Sequence, residues 1–422
     1  AVYLRASHEP NLLTPGPPVQ VSGADRWDEV RRAPKGKLVA ALTRAATNIE
    51  SENEVLSGLL AVPLEGAHTV DEAVLRHLLD SLNQSEPQDA VLVDFFEHVV
   101  SSASELDRFR GEFSTPDDVT ELMVRFAGQR EGTVLDPACG HAGLLLSVAT
   151  HPDREQSENM RLIGYEINAD VLRVARSRFF LYGETAEFHL DNVFRVPVAE
   201  LPKADVVLLD PPLGMSDWGD ADIYVDERWT YGLPPRKSAD LAWVQLALQA
   251  LAENGRAVVV TSTGPTFRSG TEAQIREAMI RAGVVEAMVQ LPGRMRADTS
   301  IPLVLWVLRP PRDTTQDIRM VDASVLGSTG RSQHSFEDED VDRIVAAVGT
   351  DERSPRPDAE IAWAVRLDDV VANGAVLEPS RYRPVPAVDL QSVRQRVEEI
   401  QVELPAASSA ASTWPSSSWP IR

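Results

Sequence analysis

The chain has 422 residues, 43% hydrophobic and 25% charged, a globular balance that excludes a disordered polymer. Its 64 acidic and 41 basic residues leave a formal charge of −23. That excludes a protein that coats nucleic acid by bulk charge, because phosphate binding needs Lys and Arg to displace counterions.

Residues 1–32 are rich in proline and polar residues and read as a flexible arm. The start, Ala1-Val2-Tyr3-Leu4-Arg5, lacks the basic-then-apolar pattern of a signal peptide and an initiator Met, so the chain is read as trimmed or as part of something longer. Residues 33–108 carry apolar positions at helical spacing and predict a helical N-terminal domain. Leu38, Leu42, Ala45 and Ala46 show the pattern, as do Val74, Leu75, Leu78 and Leu79, and then Val91, Val93, Phe95, Phe96 and Val99.

From about residue 109 short β-rich runs alternate with helical ones. Strands are predicted at 134–135, 162–165, 188–190, 206–209, 257–260, 284–289 and 303–308. Helices fall between them at 144–149, 169–181, 239–251 and 272–281. Near-continuous apolar strands alternating with helices predict an α/β fold: a seven-stranded, mostly parallel Rossmann-like sheet over residues 109–312. The link from Leu291 to Ser300 leaves no room for a crossover helix, so the last strand is expected to be antiparallel. Residues 313–404 read as a small C-terminal extension with helices at 338–348 and 391–402, and 405–422 as a disordered tail. No apolar run reaches the ~20 residues of a membrane helix, and no membrane partner is expected. The single cysteine, Cys139, excludes an intrachain disulfide and a cysteine-rich zinc site and suits a reducing cytoplasm.

Four strand ends carry the chemistry. In Val134-Leu135-Asp136-Pro137-Ala138-Cys139-Gly140 a strand ends in an acid and a glycine turn opens a helix. Such a turn either brings backbone and helix N-terminus to a ligand or packs tightly for its own sake. The next strand ends Gly164-Tyr165-Glu166-Ile167-Asn168, and an acid there is placed to accept both ribose hydroxyls of an adenosine cofactor. The third ends Leu190-Asp191-Asn192, where a carboxylate suits an adenine amino group. The fourth is Leu209-Asp210-Pro211-Pro212-Leu213. Its prolines stiffen the turn, and a carboxylate beside an aimed carbonyl can accept both hydrogens of an –NH2 group and keep its lone pair directed at an electrophile. A stiff strand-ending loop is the structural alternative.

Together these segments resemble the amino-group DNA methyltransferases that use S-adenosylmethionine, most closely the methylation subunits of type I restriction-modification systems. The resemblance runs from about Phe109 to Tyr382. It includes Asp136–Gly140, the Phe113-Ser114-Thr115-Pro116 segment, Asp210-Pro211-Pro212-Leu213, Leu291-Pro292, and Pro379-Ser380-Arg381-Tyr382.

It implies a methyltransferase acting on an exocyclic amino group, usually that of adenine in DNA, on a base taken out of the stack. It implies that Thr115, Pro116, Asp136, Ala138, Gly140, Glu166, Ile167, Asp191 and Asn192 bind the cofactor. Asp210, Pro211, Pro212 and Leu213 form the catalytic motif, with no metal. The expected partners are DNA through a separate specificity subunit, and a second copy of the chain. A small-molecule acceptor, or a cofactor-binding subunit without catalysis, are the rival readings. The family's aromatic fourth motif residue is Leu213 here, its usual Asn is Asp210, and His141 and Ala142 depart from its cofactor loop. The link Gly293–Asp298 lacks an aromatic that the family tends to carry.

Other residues stay open between two readings. His141 is a ligand contact or a solvated loop residue, and Cys139 a packing residue. Trp218, Trp229 and Trp243 line an acceptor site or, for Trp243, fill the core. Arg228, Arg236, Lys237, Arg268, Arg294 and Arg296 form a local phosphate track or are scattered surface charges.

Overall fold

The computed structural model describes residues 2–7, 19–64, 71–84, 89–107, 115–128, 132–151, 160–219, 222–225, 227–296, 299–312, 317–330, 333–349 and 358–384. Ala1–Tyr382 form one compact unit. The helix expected at 391–402 and the tail from 405 lie outside the described residues.

The N-terminal part is helical: α1 (Val2–Ser7), α2 (Trp27–Arg31), α3 (Leu38–Glu52), α4 (Glu72–Gln84) and α5 (Asp89–Asp107). The described parts of the segment read as a flexible arm include two short helices that bury side chains. Tyr3 tilts against Trp27 with centroids 5.8 Å apart and donates its hydroxyl to the Asp25 carbonyl at 2.6 Å. Val2, Ala6, Trp27 and Val30 are buried. The apolar spacing of two such short helices is hard to see inside a proline-rich stretch. Along α3, Leu38, Ala41, Leu42, Ala45, Ala46 and Ile49 form one buried stripe.

Then come α6 (Asp117–Ala127), β1 (Gly132–Asp136), α7 (Gly143–Thr150), β2 (Met160–Glu166), α8 (Ala169–Tyr182), β3 (Glu187–Leu190) and β4 (Ala204–Leu209). They are followed by α9 (Asp240–Ala250), β5 (Leu251–Ser262), α10 (Gly264–Phe267), α11 (Thr271–Arg281), β6 (Val285–Gln290) and β7 (Leu303–Leu308). Last are β8 (Ile318–Asp322), β9 (Ser328–Thr329), β10 (His334–Ser335), α12 (Asp338–Val348), β11 (Ala362–Val365) and α13 (Leu367–Ala372). All seven predicted strands are present, and β7 is antiparallel to both β5 and β6.

Among the described residues the sheet has nine strands rather than seven, in the order β11-β8-β6-β7-β5-β4-β1-β2-β3. The two extra strands come from the region read as an extension. β8 runs parallel to β6, and β11 antiparallel to β8. They cover the edge of β6, whose Met288 and Val289 are fully buried and could not stand as an open edge.

Strand alternation sends residues to two cores. Val134, Val206, Leu208, Val258 and Val260 face α6, α7 and α12; Leu135, Val207, Leu209, Ala257 and Val259 face α9 and α11. The N-terminal helices dock on α8 through Phe180 and Leu181, and Arg178 on α8 pairs with Glu97 on α5 at 2.7 Å. β1 lies between β2 and β4, all parallel, so the strand order reverses there and a crevice opens at the carboxyl ends of β1 and β4. No described helix is long and apolar enough to cross a membrane.

Candidate functional site

β1 delivers Asp136 to the crevice almost fully buried, and its Oδ1 accepts the Ala138 N–H at 3.1 Å. Burial, with the like charges of Asp210 and Glu166 nearby, raises its pKa from the ordinary carboxyl value to about 8, although the Ala138 hydrogen bond opposes this. The turn then folds tightly onto β2. The Cys139 N–H donates to the Tyr165 carbonyl at 2.8 Å, and a Cβ on Gly164 would lie 2.8 Å from the Cys139 sulfur. Gly164 is therefore the residue that lets the loop sit against β2. Cys139 is buried packing, and burial pushes its thiol well up. Gly140 and Ala142 both adopt the left-handed conformation, with φ of 53° and 57°; for Ala142 that is a strained geometry at the start of α7.

Glu166, at the end of β2, joins the two loops. One carboxylate oxygen accepts the Gly140 N–H at 3.1 Å and the other the Asn168 N–H at 2.7 Å. Asn168 caps α8 by accepting from Asp170 N. Asp191 follows β3 with its N–H bonded to the Glu166 carbonyl at 3.0 Å, and Asn192 accepts the Phe194 N–H at 3.1 Å. Ile167 stands 68% exposed beside these acids, an apolar side chain left in solvent at the mouth of the crevice.

After β4, the Asp210 side chain is 4% exposed, and one of its oxygens accepts from the guanidinium of Arg296, itself 6% exposed. Arg296 comes from the β6–β7 link. Pro211 is buried and Pro212 exposed. Beyond them Phe194, Trp218, Trp229 and Trp243 make a continuous aromatic cluster, with Phe194 and Trp243 centroids 4.3 Å apart.

These elements enclose one cleft of about 360 Å3. Of the residues singled out from sequence, Ala138, Gly140, Glu166, Ile167, Asp191, Asn192, Asp210, Pro211 and Pro212 line it. Asp136 lies directly behind it, bonded to Ala138. Three others do not line it. Leu213 packs instead against the core on the α6, α7 and α12 face. Pro116 precedes α6 and accepts the Thr120 N–H, and its neighbour Thr115 is likewise away from the cleft. Phe113 and Ser114 lie outside the described residues.

His141, Trp218 and Trp243, left open by sequence, line the cleft, and Trp243 is also buried core with an indole N–H that finds no acceptor among the described residues. Burial and the charge of Arg178 lower the His141 pKa from its usual value, although Glu97 opposes this. Tyr165, Val171, Val193, Phe194 and Met215 also line it and were not singled out. Of these, Val171 and Phe194 were within reach of inspection, each two or three residues after a capping Asn. The phosphate track does not form as a set: Arg228 and Arg296 are buried, while Arg236, Lys237, Arg268 and Arg294 are exposed. Among the described residues no group of His, Cys, Asp and Glu could hold a metal ion.

Residues 87–389 match the N-6 DNA Methylase family. The chain is 27% identical over 356 residues to the type I restriction enzyme HindI methylase subunit of Haemophilus influenzae, covering 79% of this chain and 80% of that one. It is 27% identical over 368 residues to the MpnII methylase subunit of Mycoplasma pneumoniae, covering 80% and 67%. Among solved structures, the type I restriction-modification methyltransferase subunit from Streptococcus thermophilus superposes with a TM-score of 0.73 at 22% identity, covering 86% of this chain and 81% of that one.

Proposed function

The chain belongs to the N-6 DNA methylase family, and from that premise we propose that its cleft binds S-adenosylmethionine and transfers the methyl group to the amino nitrogen of adenine in DNA, as the methylation subunit of a type I restriction-modification complex. The observation that carries this is the convergence of the Asp136, Glu166 and Asp191 strand ends with Asp210-Pro211-Pro212 on one crevice.

The residues fit the donor. Burial, with the nearby charges of Asp210 and Glu166 adding to it, raises the Asp136 pKa to about 8, and a cationic ligand beside these acids favours its charged form. Exposed Ile167, with Val171 and Phe194, offers apolar surface to an adenine ring, and the volume suits a nucleoside ligand. Glu166 would hold the ribose, Asp191 and Asn192 the adenine edge, and Asp136 with Gly140 the amino-acid end. When bound, S-adenosylmethionine supplies an electrophilic methyl carbon on a positive sulfur.

The chain's own work is positioning. Asp210 and the Pro211 carbonyl accept the two amino hydrogens, which keeps the nitrogen lone pair free and aimed into the cleft. The prolines have no N–H to compete and restrict the backbone, so this pair of acceptors stays fixed. The Asp210 oxygen not engaged by Arg296 is available to the proton that the alkylated nitrogen must release. With a charge of −23, the chain receives DNA through a specificity subunit rather than gripping it alone.

Calorimetry with S-adenosylmethionine tests the donor site. Labelled cofactor with unmethylated DNA, supplied with the chain and the subunits that copurify with it, tests the acceptor, read as N6-methyladenine by mass spectrometry. No heat of binding overturns the proposal at its root; tight binding with no methylated adenine redirects it to a small-molecule acceptor.

A further inference from the structure

The β6–β7 link holds an arginine against the carboxylate of the proposed catalytic motif. Its position is built rather than incidental. Arg294, two residues earlier, is held at φ 64°, a conformation L side chains avoid. A Cβ on Gly293 would lie 2.6 Å from the Ser300 carbonyl, so the link closes tightly on itself. The small β9–β10 hairpin braces the segment by its backbone: the His334 N–H donates to the Arg294 carbonyl at 2.9 Å, and Gln333 Nε2 to the Met295 carbonyl at 2.6 Å. These bonds hold the strained turn and deliver Arg296 to Asp210.

The bonding of Arg296 is not that of a structural arginine. Arg276, fully buried, shows what that looks like here: its Nε, NH1 and NH2 donate to the carbonyls of Ala375, Pro265 and Arg268 at 2.7, 2.9 and 2.8 Å. Arg296 engages one Asp210 oxygen, and its buried Nε–H finds no acceptor among the described residues, although the side chain lines the cleft. A buried donor left open at the wall of a cleft calls for an explanation.

A carboxylate also differs from an amide at this place. Buried alone it carries an uncompensated charge beside Asp136 and Glu166. Paired with a guanidinium, the unit is neutral, and one oxygen is pinned in a residue that lines the cleft.

We propose that Arg296 is a positioning residue: it neutralises and orients Asp210, so that an aspartate does the work of the family's usual neutral asparagine. This rests on the proposed transfer to an amino group.

The test is a cycle of Asp210→Asn, Arg296→Gln and the double variant in the complex as purified. It measures kcat and KM for unmethylated DNA, the S-adenosylmethionine dissociation constant by calorimetry, and the thermal midpoint. Arg296→Gln is expected to lower kcat about 100-fold with cofactor binding within about threefold of the parent. Asp210→Asn alone, which leaves the guanidinium unpaired, is expected to lose as much. The double variant, a neutral amide with no buried ion, is expected to recover at least about tenfold over either single.

Several results would overturn the inference. One is a double variant no better than the worse single. Another is an Arg296→Gln enzyme as active as the parent or more active, which marks the arginine as a plug. A third is loss of cofactor binding, and a fourth is recovery of the thermal midpoint without recovery of kcat, which marks a purely structural pair. A parent complex that binds the cofactor and methylates no DNA removes the proposed function and this inference with it; an active parent with a failed cycle removes only the inference.

Discussion

Asp136 carries a consequence that can be read in solution. Its folded pKa, about 8, lies above the ordinary carboxyl value. Between those two values the folded state therefore binds more protons than the unfolded one, and stability contributed by this group declines as pH rises, levelling above about pH 8. Thermal midpoints measured from pH 5 to 9 without cofactor should show this fall, and Asp136→Asn should flatten it.

A cationic donor lowers the Asp136 pKa, so binding near pH 7 should release up to one proton. Calorimetry in buffers of different ionisation enthalpy measures that number. Asp210→Ala should reduce methyl transfer by about 100-fold or more, measured with labelled cofactor, because it removes an acceptor for the amino group and leaves the Arg296 guanidinium unpaired. The acids at 136, 166, 191 and 210 were legible because each ends an apolar run. Arg296 was singled out only as one of six candidate phosphate contacts; its pairing with Asp210 was not legible, because the two lie 86 residues apart.

Among the elements, the turn between β1 and α7 depends on a residue of another strand. Gly164→Ala places a methyl against the Cys139 sulfur and 3.0 Å from Leu145 Cδ1. Overpacking of this kind costs about 1–3 kcal/mol, and here it also displaces the loop carrying Ala138 and Gly140. A lower thermal midpoint together with weaker cofactor binding is the expected pair of results.

Gln333→Ala should behave differently. It removes a brace on the β6–β7 link, so kcat should drop while cofactor affinity holds. Strands β1 to β7 were legible as β-rich runs, most of them nearly continuous in apolar residues, and the helix at 338–348 from its periodicity, which the structure matches with a capping box at Glu337 and Asp340. β8 and β11 were not. Ile318-Arg319-Met320-Val321-Asp322 is short and interrupted by charge, and β11 has only four residues, so each needs its neighbour in the sheet to be recognised. Leu213 was placed in the catalytic motif by resemblance, but its side chain turns to the core, a direction that no sequence pattern reports.

For the whole molecule, the sheet does not end where the alternating pattern does. Residues after 312 supply β8 and β11, and they hold the central region in other ways. Leu377 donates its N–H to the Thr266 carbonyl at 2.9 Å, and the Ala375 carbonyl accepts from Arg276. A chain truncated after Arg312 should therefore fail to give a cooperative thermal transition, whereas one truncated after Arg383 should keep it. At the same scale, the charge of −23 predicts that the chain alone shows no retention of duplex DNA in anisotropy measurements at about 0.15 M salt; if the proposed assembly holds, binding appears when a specificity subunit is added and weakens steeply with added salt.

The late arrival of those edge strands has a further meaning during synthesis. The strands that form the proposed donor crevice are all present in the chain once Ser262 is made, and β6 follows at Val285–Gln290. The strand that covers β6, and the hairpin that braces Arg296, come only with residues 318–335. A nascent polypeptide halted between these points holds the donor half of its site while its acceptor half lacks support, and it presents a naked apolar β-edge to whatever other chain is near.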